Sequence, residues 1–169
     1  LPAFPAMAAA LGATQLEMQQ TLTAYLAPFA FMILWHGSLS DALGRRRVIL
    51  WALALYMLGS LVCLSAVQIE HLWLGRALQG LSGGAGMVVG RAIVRDLLAG
   101  AEAQRLMSRI AMMFAIAPAI APIIGGWVFG WFGWRAVFGF LVLFGLTLFV
   151  LCRAWLPEIC GLDETPDIN

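Results

Sequence analysis

A chain of 169 residues in which 62% of the side chains are apolar and 11% are charged, with a mean hydropathy of +0.90, has too little polar surface to coat a water-soluble globule. A net charge of +1 supplies no basic field for nucleic acid. Cys63, Cys152 and Cys160 have neither the number of a disulfide framework nor the spacing of a metal site, so no metal is expected.

A helix crosses about 30 Å of hydrocarbon with roughly 20 mostly apolar residues. Five uncharged or nearly uncharged runs reach that length, at residues 18–40, 48–67, 72–94, 107–130 and 136–156. They are about twice as long as a barrel strand needs and lack its period-two alternation. The expected fold class is an all-α membrane protein with five transmembrane helices.

In chain order, residues 1–17 open with LPAFPAMAAALG, which lacks the basic region of a signal peptide and is too short and proline-broken to span. This segment is expected to be external and to be the outer end of a preceding helix. The connection after the first run, GSLSDALGRRR, concentrates charge, with Gly37 and Gly44 expected to permit tight turning and Asp41 able to pair with Arg45. His36 precedes it. All ten basic residues are Arg. Arg45, Arg46 and Arg47 follow the first run, Arg95, Arg105 and Arg109 follow the third, and Arg153 lies near the end of the fifth. The other connections carry Glu70, His71 and Arg135, so the positive-inside rule places the arginine-rich loops in the cytoplasm.

The third run holds Arg76, an ionisable group inside a span, which is expensive to bury and needs a partner. Its GLSGGAGMVVG stretch lacks the spacing of a dinucleotide loop. Instead, Gly80 with Gly84 and Gly86 with Gly90 form two GxxxG pairs expected to bring helices close. In the fourth run Pro118, Pro122, Gly125 and Gly126 predict a bent helix with a flat, close-packing face. Trp127, Trp131 and Trp134 are expected to form an aromatic belt at the outer headgroup level. Tyr25, Phe29, Met112 and Met113 are candidates to line a greasy, adaptable cavity, although lipid-facing or core packing accounts better for any one of them. Residues 157–169 turn polar and acidic, as a cytoplasmic linker would.

These residues also carry a family resemblance. Gly37, Leu39, Asp41, Gly44, Arg45 and Arg46 resemble motif A, the loop signature between helices two and three of major facilitator transporters. RALQG, with Arg76, Gln79 and Gly80, is similar to motif B of helix four. AIAPAIAPIIGG, with Ala117, Pro118, Ala121, Pro122, Gly125 and Gly126, resembles the antiporter motif C of helix five. RAIVRDL at residues 91–97 and the opening LPAFPA are similar to drug:proton antiporters of the bicyclomycin and chloramphenicol resistance type. His36 in place of an aromatic residue and Ser38 in place of a proline depart from that pattern.

The resemblance implies helices two to six of an amino-terminal six-helix bundle in the cell inner membrane. It implies export of small hydrophobic drug-like substrates in exchange for protons, with the proton gradient as energy source and no cofactor. By the same resemblance Asp41, Arg45 and Asp96 form an inner gate that Arg91 and Arg95 can share, and Arg76 tunes an acidic residue of helix one. The implied partners are substrate, protons, the lipid bilayer, helix one and a carboxyl-terminal six-helix half. Without these the sequence is expected not to transport.

A membrane enzyme would need a clustered nucleophile, base or metal set, whereas the two histidines, His36 and His71, are far apart. No GxxxxGK[ST] phosphate loop is present. The remaining alternative is a stand-alone membrane scaffold or assembly partner without transport activity.

Overall fold

In a computed structural model, residues 3–156 are described; the expected linker at 157–169 lies outside them. They form seven α-helices: α1 (Phe4–Leu11), α2 (Gln15–Leu43), α3 (Arg45–Leu64), α4 (Ile69–Gly83), α5 (Ala85–Leu97), α6 (Gly100–Phe132) and α7 (Trp134–Trp155). The helices α2, α3, α6 and α7 are each long and apolar enough to cross a membrane.

Local chemistry sets the boundaries. Thr14 caps α2, its hydroxyl accepting from the Glu17 backbone N–H at 3.3 Å, while the Glu17 carboxylate accepts from the Thr14 N–H at 2.7 Å. This reciprocal capping box satisfies donors that the first turn leaves free. Trp73 then donates from Nε1 to the Glu17 carbonyl at 3.1 Å, tying α4 to the start of α2.

The charged stretch that reads as a loop in the sequence is almost entirely helical. Gly37 lies inside α2, facing Val88, and does not turn. Only Gly44 separates α2 from α3, at φ 92°, a left-handed conformation that a side chain would strain. The Ser40 carbonyl accepts its N–H at 3.1 Å.

The run at 72–94 departs most from expectation, for it is divided into α4 and α5 at Gly84. Gly83 and Gly84 have little intrinsic tendency to hold a helix, and the Ser82 hydroxyl donates back to the Leu78 and Gln79 carbonyls of its own helix, an arrangement that bends helices. Gly84 remains in right-handed space, at φ −80° and ψ −18°, so hydrogen bonding is interrupted without reversal of the chain. Neither piece spans alone.

Packing centres on α4, which lies against α2 and α3, while α3 also packs on α7. Two glycines make the α3–α4 approach possible. A methyl on Gly59 would meet the Gly75 carbonyl at 2.7 Å, and one on Gly75 would meet the Gly59 carbonyl at 2.6 Å. Gly80 lies against the Tyr25 backbone in the same way, and Gly84 is in ordinary contact with α2. Gly86 and Gly90 have open space, so the second expected GxxxG pair joins no helices among the described residues.

An apolar core gathers Met7, Met18, Cys63, Leu72, Trp134 and Phe138 where α1 and α4 meet the ends of α2, α3 and α7. Trp134 therefore belongs to this core, edge-on to Phe138 at 6.3 Å, whereas Trp127 and Trp131 are exposed. Helix α6 runs unbroken through Pro118 and Pro122 and contains no buried residue. Gly125 and Gly126 meet nothing within 4 Å, so the expected close-packing face is open among the described residues.

Candidate functional site

Arg45 lies at the first turn of α3, and the Gly44 turn returns its side chain over the last turn of α2. Its guanidinium binds in two directions. Nη1 pairs with Asp41 Oδ1 and donates to the Ser40 hydroxyl, while Nε donates to Asp96 Oδ2, in the last turn of α5, at 3.1 Å. Ser40 in turn donates to the Gly37 carbonyl at 2.8 Å, so its oxygen is oriented to accept.

Each of these charges opposes the dipole of its own helix, acids at C-terminal ends and an arginine at an N-terminus. Their arrangement compensates for this. The guanidinium lies where the C-terminal ends of α2 and α5 converge, a favourable location for a cation. Arg45 is 7% exposed, so the loss of a partner would leave a buried cation undersatisfied. Three helices are thus held together at one point. Sequence reading identified Asp41, Arg45 and Asp96 but missed Ser40, whose only signal is a hydroxyl one turn before Gly44.

The expected contribution of Arg91 and Arg95 is not made. Both are exposed, and among the described residues neither forms an ion pair with Asp96. They lie on α5 with side chains that the Arg45–Asp96 pairing does not require. Arg46, expected mainly to set topology, instead donates from Nη2 to the Arg153 carbonyl at 2.7 Å, supplying a cation and a donor to the last turn of α7.

A second polar set surrounds Arg76. Its Nη1 donates to Gln79 Oε1 at 3.3 Å, Gln79 Nε2 donates to the Ser60 hydroxyl at 2.8 Å, and Ser60 donates to the Tyr56 carbonyl at 2.8 Å. Gln79 is fully buried, so each step satisfies a polar group that would otherwise be costly in an apolar bundle. The guanidinium also lies 5.9 Å from the Tyr25 ring and 5.7 Å from the Phe138 ring. Among the described residues no carboxylate pairs with Arg76.

Arg76 and the proline-glycine segment meet at a common space. A cavity of about 210 Å³ is lined by Arg76, Ala121, Pro122, Gly125, Gly126 and Phe138, among others. Ala117 lies elsewhere, beside Met113 in a cavity of about 560 Å³ between α6 and α7, and Pro118 is exposed. The four cavity candidates do not converge. Tyr25 and Phe29 stack at 5.8 Å and pack against Gly83 and Gly84, while Met112 and Met113 are exposed on α6. Gly80 serves the backbone approach to Tyr25.

This architecture, with one charge cluster joining three helix ends and a second polar set buried inside, is of the multi-pass helical membrane class. The match to the Major Facilitator Superfamily extends over residues 1–166, and the chain belongs to that family. It is 31% identical to multidrug resistance protein D of Escherichia coli over 163 residues, 96% of this chain and 41% of that protein. It is 34% identical to a bicyclomycin resistance protein homolog of Haemophilus influenzae, over 94% of this chain and 40% of that protein. With a chloramphenicol resistance protein of Pseudomonas aeruginosa the identity is 41%, over 85% of this chain and 34% of that protein. The chain therefore spans about two-fifths or less of the length of these relatives.

Proposed function

We propose that this sequence forms helices two to six of a secondary transporter that exports small hydrophobic drugs in exchange for protons. Its arginine-rich connections face the cytoplasm of a cell inner membrane, and the proton gradient is its energy source, with no cofactor. The observation that carries the reading is the two-sided pairing of Arg45 with Asp41 and Asp96, across the ends of α2, α3 and α5.

In this reading the cluster is the inner gate. Charges held together in one state must separate when the cytoplasmic side opens, so the pairing energy biases the equilibrium between the two states. The Arg76–Gln79–Ser60 set serves proton coupling by orienting a cation toward the cavity it shares with Pro122 and Gly126. A carboxylate that exchanges the proton, a carboxyl-terminal half and the substrate itself complete the device. The resistance named for the similar proteins supports drug-like molecules as the substrate class.

Asp41→Asn in the natural gene product tests the gate. Drug efflux from cells is expected to be abolished while membrane insertion and protein level are retained. Undiminished efflux at equal protein level would refute the gate assignment.

A further inference from the structure

The fold commits several of its arginines to internal partners. Arg45 is held by Asp41, Ser40 and Asp96, Arg46 by the Arg153 carbonyl, Arg76 by Gln79, and Arg135 by the Ala66 carbonyl at 3.0 Å. Four others differ: Arg91 and Arg95 in the last two turns of α5, and Arg105 and Arg109 in the second and third turns of α6. All four are exposed, and among the described residues none forms a side-chain hydrogen bond or ion pair. Two acids lie on the same stretch. Asp96 is bound to Arg45, and Glu102, three residues before Arg105, makes no ion pair among the described residues.

This arrangement is unfavourable by itself. Arg91 and Arg95 are four apart on one helix, as are Arg105 and Arg109, and like charges at that spacing repel. Only Leu98 and Ala99 separate α5 from α6, and the two helices touch, so the four cations belong to one elbow. An anion supplied from outside the fold relieves the repulsion.

Depth in a bilayer identifies that anion. Helix α6 has 33 residues, which at 1.5 Å per residue is about 50 Å, against about 30 Å of hydrocarbon. No charged residue occurs between Arg109 and Arg135, so residues 110–132 are enough to cross, with exposed Trp127 and Trp131 toward the far border. Arg105 and Arg109 then fall at the headgroup level of the near leaflet. Leu97, exposed at the end of α5, offers an apolar contact beside them. Guanidinium groups take phosphate oxygens in a bidentate fork. A zwitterionic headgroup brings a cation of its own, which the arginines disfavour, whereas an anionic headgroup does not.

We propose that the α5–α6 elbow is a binding site for the phosphate of an anionic phospholipid of the phosphatidylglycerol type, held by Arg91, Arg95, Arg105 and Arg109. The site requires that α6 cross a bilayer and is independent of what the protein transports.

The test uses the natural gene product reconstituted in phosphatidylcholine bilayers, with spin-labelled phosphatidylglycerol or phosphatidylcholine as the probe. Electron paramagnetic resonance reads the share of each lipid that the protein immobilises. A preference for phosphatidylglycerol is expected, and it should fall as salt is raised. Arg105→Gln should weaken it by up to about fivefold, and Arg91→Gln, Arg95→Gln, Arg105→Gln and Arg109→Gln together should bring the two lipids to parity. Arg153→Gln removes an exposed arginine near the end of α7 and should leave the preference unchanged. An unaltered thermal transition verifies that each variant is folded. If the fourfold variant fails to insert, the two double variants, one on each helix, replace it, and each should lose part of the preference. Equal immobilisation of both lipids by the unsubstituted protein would overturn the proposal, as would a full preference in the folded fourfold variant or in both double variants. Equal losses in Arg105→Gln and Arg153→Gln would also overturn it, since they would mark a diffuse surface charge in place of a site.

Discussion

At the scale of single residues, the two acidic partners of Arg45 are not equivalent. Asp41 is four residues away on the adjoining helix end, and its side chain is 61% exposed, whereas that of Asp96 is 32% exposed and joins a different part of the chain. Solvent screening reduces the first pair toward the about 0.5 kcal/mol of an exposed helical pair. The second holds a charged hydrogen bond in a drier place, with an expected contribution of about 1.5 kcal/mol. Double-mutant cycles on unfolding in lipid should therefore give a larger coupling for Arg45 with Asp96 than with Asp41. Equal couplings would mean that burial does not distinguish them. Much of this cluster was legible in the sequence, because a charge between two apolar runs has few places to go and Asp41 and Arg45 are four apart. Ser40 was not legible, since a hydroxyl near a helix end has many possible acceptors and only the Gly44 turn selects the guanidinium. The exclusion of Arg91 and Arg95 was equally hidden: i and i+4 spacing places two arginines on one face without saying which way that face points.

At the scale of helices, the close contacts are made where two backbones meet without side chains between them. Gly75→Ala should push α3 from α4, because the new methyl faces the Gly59 carbonyl at 2.6 Å, an atom that cannot rotate away. Overpacking of this kind costs about 1–3 kcal/mol, and the loss should appear as a lowered thermal transition of the purified protein in lipid. An unchanged transition would show that α3 and α4 can separate freely. Four of the long apolar runs contain helices able to span, and run length alone is enough to show that. The division at Gly84 was not readable in the same way. Glycines are common in membrane helices as packing surfaces, and the same pattern read as GxxxG describes Gly80 correctly and Gly86 wrongly. What decides is the neighbour, and a single sequence does not contain its position. The glycine at 44 differs because the chain turns there through a positive φ, which glycine adopts without steric cost.

At the scale of the whole molecule, the bundle is lopsided. Helices α2, α3, α4 and α7 bury one another, whereas α6 has 33 residues and none buried. Its Gly125 and Gly126 leave open space beside a cavity that also contains Arg76. The chain covers about two-fifths of the length of relatives such as multidrug resistance protein D, and in the transporter reading the rest of such a protein packs on this bare face. Gly125→Leu would then have opposite consequences in two settings. In a peptide of residues 1–169 a Cβ at this position meets nothing within 4 Å, and the substitution removes a glycine from a helix interior, which favours the helix by up to about 1 kcal/mol. In the natural gene product it would obstruct the approach of the second wall, lowering the thermal transition and slowing drug efflux. Comparison of the two thermal shifts decides the matter. Destabilisation in the natural product alone identifies α6 as the face that receives the rest of the transporter, while neutrality in both settings would show that this face meets lipid and that the second wall lies elsewhere.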